Sequence, residues 1–391
     1  MEHARHATVS RHVAGAGECA ADAGRPAGVA RRVPKASAAP AADAGHLAAA
    51  APGAAAVPDS PNDVERFAKG TERLVDPVTV GSIHFLQQFA GVLPRRVQRP
   101  LMARSAEASP YMGFVVEPYA FFLFSEVADC VRAEALLPEG FRLCKASVFV
   151  GDEPAHLAVQ SFFRVHTSAF WGARAECYLM AQDERTGLLS WVIVDYLSDT
   201  ISYDGAHGLR APSAPRAVVT TTCEGRVVVD VQDAAGEGRV AFGASLAGAR
   251  PRPLDRRMWV EGNLSVGYGR ALSAEGADVF SLTFLPKEME RALEIPLENL
   301  DMACSTWHAD ILAPRPARLA CFPFAQHVLS DSPGRSSGYA SERELARAAR
   351  AVDFDSLRAF SVAPVRAGMA AGAVLTVGAV AALAWALFRK R

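Results

Sequence analysis

The sequence predicts a mainly β protein with a minor α component: an antiparallel barrel or sandwich, flanking helices and a C-terminal transmembrane helix. Two observations carry this. About a dozen short β-type runs lie between residues 110 and 323, divided by turn residues with few helical stretches among them. That texture belongs to antiparallel sheets rather than to strands alternating with crossover helices. The second observation is the run 367–388, which has no charged residue and is followed by Arg389, Lys390 and Arg391. At ~1.5 Å per residue it spans ~33 Å, enough for a hydrocarbon core of ~30 Å. Trp385 stands where an interfacial aromatic belongs. Alanine and glycine make the run only moderately apolar, so a buried C-terminal helix is the competing reading.

Residues 1–58 are rich in Ala, Gly, Pro and Arg and poor in large apolar side chains. Such a segment buries too little surface to offset its ordering entropy, and disorder is expected. A transit peptide or a mis-set start would share that texture. Residues 59–109 form an N-terminal helical region with a basic stretch. Asp59-Ser60-Pro61-Asn62-Asp63 signals a helix start, with Val64, Phe67 and Ala68 as its apolar face. A second helix is expected over 78–93 from Val80, Ile83, Leu86, Phe89, Ala90 and Leu93. Between Asp76 and Glu107 come Arg95, Arg96, Arg99 and Arg104 with no acid. This stretch is either a surface for anionic lipid or a solvated basic loop.

The β domain, 110–329, has candidate strands at 112–124, 143–150, 157–164, 174–181, 188–196 and 218–222. Further candidates are 226–232, 238–242, 258–268, 280–284, 302–312 and 318–322. Turns at 182–187 and 234–237 join neighbours as hairpins. One helix, 286–294, is expected to interrupt the strands. In 330–366 a flexible linker over 330–338 leads to Ser341 and Glu344, a capping box. Leu345, Ala348, Ala349, Val352 and Leu357 follow at helical spacing, a short helix leading into the span at 367–388.

Charge is balanced, 41 Lys+Arg against 42 Asp+Glu, which gives no global field to recruit nucleic acid. Lysine is confined to Lys35, Lys69, Lys145, Lys287 and Lys390, so amine catalysts are few. The cysteines (19, 130, 144, 177, 223, 304 and 321) show no C-x-x-C spacing, so no metal or redox site is expected. Scattered thiols fit a reducing compartment. With no signal-like run near the start, a single-pass tail anchor with a cytosolic body is expected. The Arg389–Arg391 cluster prefers the cytosolic face and pulls against that orientation, while Arg358 and Arg366 partly offset it. The partner is the lipid bilayer, through 367–391. Gly368 and Gly372 share a helix face and suit a weak anchor-mediated homodimer.

No strong catalytic signature is present: no G-x-S-x-G, no phosphate-cradling G-x-x-x-x-G-K-[ST] and no H-E-x-x-H. Gly267-Tyr268-Gly269 lacks the third glycine of a dinucleotide loop, since Leu272 stands there. More informative is the strand around Glu176. Alternation sends Arg174, Glu176 and Tyr178 to one face and Ala173, Ala175 and Cys177 to the other. The small residues suit a crowded side, and the polar row lines a cavity or faces solvent. His308 and Asp310 would share a strand face, within reach of an orienting hydrogen bond. A structurally satisfied histidine is the blander reading, there and at His166.

Residues 113–209, and more loosely on to 323, resemble an acetoacetate decarboxylase-like barrel. The carrying residues are a strand ending near Glu126, then Leu136-Leu137-Pro138-Glu139-Gly140-Phe141, the Glu176 strand, Tyr196, and Tyr203-Asp204-Gly205. The resemblance implies a Schiff-base lysine after the strand 188–196. Residues 195–208 contain none, Lys145 belongs to another strand, and Lys287 belongs to the expected helix 286–294.

These features predict a membrane-anchored barrel protein that binds a small or lipid-like ligand without decarboxylase chemistry or a cofactor. Arg174, Glu176, Tyr178, Trp191 and Phe122 are its candidate ligand-binding residues. One alternative is a lyase or hydrolase using Glu176, His308, Asp310, or a relocated lysine at Lys145 or Lys287. The other is a membrane-tethered scaffold with a filled core.

Overall fold

A computed structural model describes residues 61–75, 94–167, 170–274, 279–332, 338–358 and 363–389. The segment expected to be disordered, 1–58, and the expected helix 78–93 lie outside the described residues.

Two sheets carry the body. Three long strands centre the larger: β5 (Ala155–Thr167), β6 (Trp171–Asp183) and β7 (Leu189–Ser198). Its path runs from β13 (Arg250–Pro253) through β17 (Arg291–Glu294), β19 (Arg318–Phe322) and β2 (Ala120–Glu126) to β5, β6 and β7. It ends on β14 (Val266–Tyr268) and β15 (Val279–Phe280). The smaller sheet is β10 (Arg216–Thr221), β11 (Arg226–Gln232), β12 (Arg239–Ser245) and β18 (Leu300–Ser305), in that order.

The mainly β expectation holds, and of its two forms the structure is open. The larger sheet branches instead of closing. One stretch of β5, Leu157–Phe162, pairs with β2, and a later one, Val165–Thr167, pairs with β1 (Tyr111–Val116). The break between β1 and β2 falls at Pro118–Tyr119, where Tyr119 takes φ 70°, so the strand expected over 112–124 is two. One ladder, β7 with β14, is parallel.

Each face of β6 has its own core. Ala173, Ala175 and Cys177 are buried with Val227, Val229, Val231 and Phe242 of the smaller sheet. Bulk on β11 and β12 thus meets small residues on β6, as the crowded-side expectation requires. The opposite face packs Val159, Met180 and Trp191 with Phe124, Phe322 and Trp259. Trp259 is central: its ring lies 5.2 Å from those of Phe122, Trp191 and Phe322, mostly edge-on. Its indole N–H donates to the Val148 carbonyl at 2.9 Å, so the ring is buried with its polar atom satisfied.

That cluster explains one departure from the sequence reading. The strand expected over 258–268 begins as a short helix, α4 (Arg256–Trp259), capped by Asp255, which accepts from the Met258 amide at 3.0 Å. The helical turn buries the consecutive residues Met258 and Trp259 in one cluster, which strand alternation would split. Strand structure follows only at Val266–Tyr268. Other ranges shift as well. The helix expected over 286–294 is a 3-10 turn, Pro286–Met289, followed by β17. The strand expected over 302–312 ends at Ser305. Over 143–150 only β3 (Phe141–Leu143) and β4 (Lys145–Ala146) reach in, and β20 (Gln326–Asp331) and β13 were not anticipated.

The helices flank the sheets. α1 (Pro61–Leu74) buries Phe67 against Phe354, with ring centroids 5.5 Å apart, and Arg66 donates to the carbonyls of Ala349 and Val352 at 3.0 Å. The basic stretch is not a loop but α2 (Arg95–Ala108), which contains Pro100. Ser341 caps α5 (Glu342–Ala351), accepting from the Glu344 amide at 3.3 Å. Leu345 and Ala349 are buried, so α5 packs on the body instead of merely leading to the span. In α6 (Ala363–Phe388), the stretch Ala370–Phe388 has mean hydropathy 2.1 and none of it is buried inside the protein. It is long and apolar enough to cross a membrane. Its one hydroxyl, Thr376, is satisfied within the helix, donating to the Gly372 carbonyl at 2.9 Å.

Trp259→Ala should cost about 3–5 kcal/mol, the usual range for removing a buried aromatic. Chemical denaturation would show it as a lower midpoint at unchanged slope.

Candidate functional site

The polar row on β6 is buried. The Arg174 and Glu176 side chains are only 11% and 9% exposed. Arg174 Nε donates to Glu176 Oε1, and the Tyr178 hydroxyl donates to Glu176 Oε2. Strand alternation supplies this geometry, since the three residues are consecutive on one face.

A β-bulge brings the row its neighbours. Glu176 pairs with Tyr196 and Cys177 with Asp195, but Tyr178 pairs with Ile193, so the β6–β7 register shifts by one residue. The bulge places Tyr196 beside Glu176. Arg174 and Arg210 stack on the Tyr196 ring, with guanidinium carbons 4.1 and 4.6 Å from its centroid. The Tyr196 hydroxyl donates to Asp204 Oδ2 at 3.0 Å, and Arg210 Nη1 donates to the same oxygen at 3.3 Å. Asp204 is wholly buried and also accepts from the His207 backbone amide at 2.6 Å.

Asp204 and Arg210 come from a hairpin, β8 (Ser202–Asp204) and β9 (Gly208–Arg210). It is held over the cluster by α2: Gln98 Oε1 accepts from the Leu209 amide at 2.7 Å. Gly208, at φ 72°, lies so close to Gln98 that a Cβ there would collide with its side-chain oxygen.

Two guanidinium groups therefore meet two carboxyl groups and the phenols of Tyr178, Tyr196 and Tyr268. Burial pushes the Tyr196 phenol up to about 12, with Arg174 opposing the shift and Asp204 adding to it. Burial likewise pushes Tyr178 and Tyr268 upward. All three are neutral donors at pH 7. Burial works against the Arg174 charge, but Glu176 and the nearby phenols outweigh it, so its pKa rises. Such an assembly can hold an acidic or carbonyl-bearing group in a low-dielectric setting. It contains no amine nucleophile.

Trp191 and Phe122 sit beside this cluster. The Tyr178 and Trp191 rings are 5.0 Å apart, and Phe122 packs on Trp191 and Trp259 at 6.2 and 5.2 Å. Lys145 is exposed at the sheet margin, and Lys287 is exposed in the 3-10 turn. The structure brings neither into the cluster.

His308 and Asp310 are not on a strand. They lie in the turn after β18, with His308 at φ 58°. Asp310 points outward, its carboxylate 61% exposed and 3.9 Å from Arg132. The carboxylate facing His308 is Asp195, whose Oδ2 accepts from His308 Nε2 at 3.1 Å and from Trp307 Nε1 at 2.8 Å. Burial raises the Asp195 pKa, but these donors, His308 first, outweigh it, and the pKa is lowered. Among the described residues no group of His, Cys, Asp and Glu could hold a metal ion.

Sequence reasoning missed Asp195, Arg210 and Tyr268 as site residues. Their signal was weak, because a bulge leaves no mark in alternation. Surface clefts flank the body. One of about 510 Å³ is lined by Pro138, Glu139, Arg270, Ser273 and Ala274, and one of about 160 Å³ lies beside Tyr119. Neither includes a residue of the Arg174 cluster.

No protein-family model and no curated protein sequence matches the chain. Among solved structures, the acetoacetate decarboxylase of Legionella pneumophila aligns with a TM-score of 0.38 and 12% identity. The alignment covers 58% of this chain and 88% of that one. The relationship is a weak one, of fold.

Arg174→Met should destabilise by about 3–5 kcal/mol, because it leaves Glu176 buried without its cation. Adding Glu176→Leu should recover most of the loss, since an apolar pair of similar volume replaces a buried ion pair at little cost. Urea denaturation of the two variants checks both signs.

Proposed function

We propose that the chain is a membrane-tethered binding protein whose β body takes a small acidic or lipid-like ligand at the Arg174–Glu176–Tyr178 cluster. The supporting observation is the concentration of buried charge there. Buried ion pairs contribute little to stability, and strongly shifted groups gather at functional sites more often than elsewhere. A ligand carboxylate would exchange with Glu176 for Arg174, while the neutral Tyr178 and Tyr196 phenols supply hydrogen bonds. Trp191 and Phe122 give the apolar wall. Imine chemistry has no support in this arrangement, because Lys145 and Lys287 are both on the surface.

The tether is α6. Arg389 lies over the Trp385 ring at 4.9 Å, an aromatic–cation pair suited to the headgroup level. Anchors could meet through Gly368 and Gly372, and a Cβ at Gly372 would meet open space. A tethered scaffold is the second reading, favoured by the dense packing of Trp191, Trp259 and Phe322.

Borohydride reduction of the full chain with acetoacetate should add no mass to any peptide. Labelled Lys145 or Lys287 would replace the binding reading with an enzymatic one. Titration with a fatty-acid series should show saturable binding that Tyr178→Phe weakens; no saturation at any chain length would favour the scaffold.

Extraction tests the tether separately. The chain should resist high salt and alkaline carbonate and dissolve in detergent. Release by carbonate alone would remove the span.

A further inference from the structure

A second site, distinct from the Arg174 cluster, lies where the turn between β1 and β2 faces β10. Its cleft, about 160 Å³, is lined by Glu117, Pro118, Tyr119, Arg164, Val219, Thr220 and Thr221. Three independent features converge there.

The first is backbone strain without a packing return. Tyr119 holds φ 70°, a region that glycine enters freely and a Cβ disfavours, yet the residue is 39% exposed. Hydrogen bonds fix the turn: the Tyr119 amide donates to the Phe322 carbonyl at 2.7 Å, and Glu117 N–H donates to the Arg164 carbonyl at 2.9 Å. Glycine would satisfy the same bonds without strain, so the ring is what the residue adds. Strained residues of this kind gather at binding sites.

The second is a held cation with donors to spare. Glu117 Oε1 accepts from His166 Nε2 at 2.7 Å and from Trp171 Nε1 at 3.1 Å, and Glu117 Oε2 faces Arg164 Nε at 3.4 Å. The guanidinium also lies over the Trp171 ring, 5.5 Å from its centroid. It is thus positioned by its Nε side, and its two terminal nitrogens donate no hydrogen bond among the described residues. Two parallel N–H groups on a fixed fork match a carboxylate.

The third is Thr221 Oγ1, buried and without a hydrogen-bond partner among the described residues. An unpaired hydroxyl in a cleft wall is costly unless something else satisfies it.

We propose that this cleft binds a small carboxylate with a flat apolar body: the acid on Arg164, the ring against Tyr119, and a hydrogen bond to Thr221. The volume is below the ~300 Å³ of drug-sized pockets, which limits the ligand to about one ring.

The test is calorimetry of the full chain in detergent, with benzoate and inorganic phosphate as probes. Benzoate should bind saturably, and Arg164→Met should weaken it at least tenfold, as loss of a charge-assisted pair does. Thr221→Val, close to isosteric, should weaken it less. Tyr119→Gly should hold or raise the melting temperature while weakening benzoate. No saturation with benzoate, or equal affinity in Arg164→Met, would overturn the site. A lower melting temperature in Tyr119→Gly with affinity intact would make the ring a packing element. Phosphate binding as tight as benzoate would remove the apolar body from the proposal.

Discussion

The register of β6 between β5 and β7 constrains nearly everything else in the body. Within β6, residues 171–179 pair with β5 on one side and residues 174–182 with β7 on the other, and their alternation divides two chemically opposite interiors. Ala173, Ala175 and Cys177 admit the smaller sheet because they are small. Arg174, Glu176 and Tyr178 meet partners only on the other face. A slip of one residue would drive a guanidinium and a carboxylate into the valine-rich layer between the sheets and leave the alanines under aromatic rings. Both errors cost far more than a hydrogen bond, so the register is strongly specified.

The bulge between β6 and β7 then turns one polar strand into two separate polar sites. Without it, Asp195 and Tyr196 would meet different partners. With it, Asp195 faces Trp307 and His308 on the side of the smaller sheet, while Tyr196 stands beside Glu176. The first site has the form of a brace: an indole and an imidazole from a distant turn converge on one carboxylate, tying the end of β18 to β7. The second accumulates more charge than a brace requires, two arginines and two carboxyl groups around one ring. That difference in composition, more than position, separates a structural cluster from a candidate binding one.

How legible this was depends on the range of the interactions involved. Alternation showed itself at 226–232, which coincides with β11 because pattern and burial alternate together over the whole strand, while the short apolar run 318–322 coincides with the almost wholly buried β19. The capping box at Ser341 was legible because it is local. The 258–268 region was not, since a short helix burying Met258 and Trp259 together answers to an aromatic cluster assembled from four other strands. The helix expected over 286–294 fails similarly: Leu293 pairs with Pro251 and Cys321, two strands distant in sequence. At the site, the β6 row followed from alternation alone, whereas Asp204 and Arg210 depend on a hairpin that α2 clamps from more than a hundred residues away. Pairing His308 with Asp310 assumed a strand where the chain turns.

Among the described residues, two other than glycine take positive φ, and their surroundings assign them different work. His308 spends its strain inward. The left-handed turn aims its imidazole at Asp195, and the ring stays 19% exposed beside Trp307, so contacts within the fold account for the conformation. Histidine is also among the residues that tolerate that region best. Tyr119 is neither a tolerant residue nor an inward one. Its backbone bonds would be served equally by glycine, and its ring faces a cleft in place of a core. Local strain persists only where something holds it, and at Tyr119 the hydrogen bond that holds it acts on the backbone. The ring beside the cleft is the part of that turn that the proposed ligand would use.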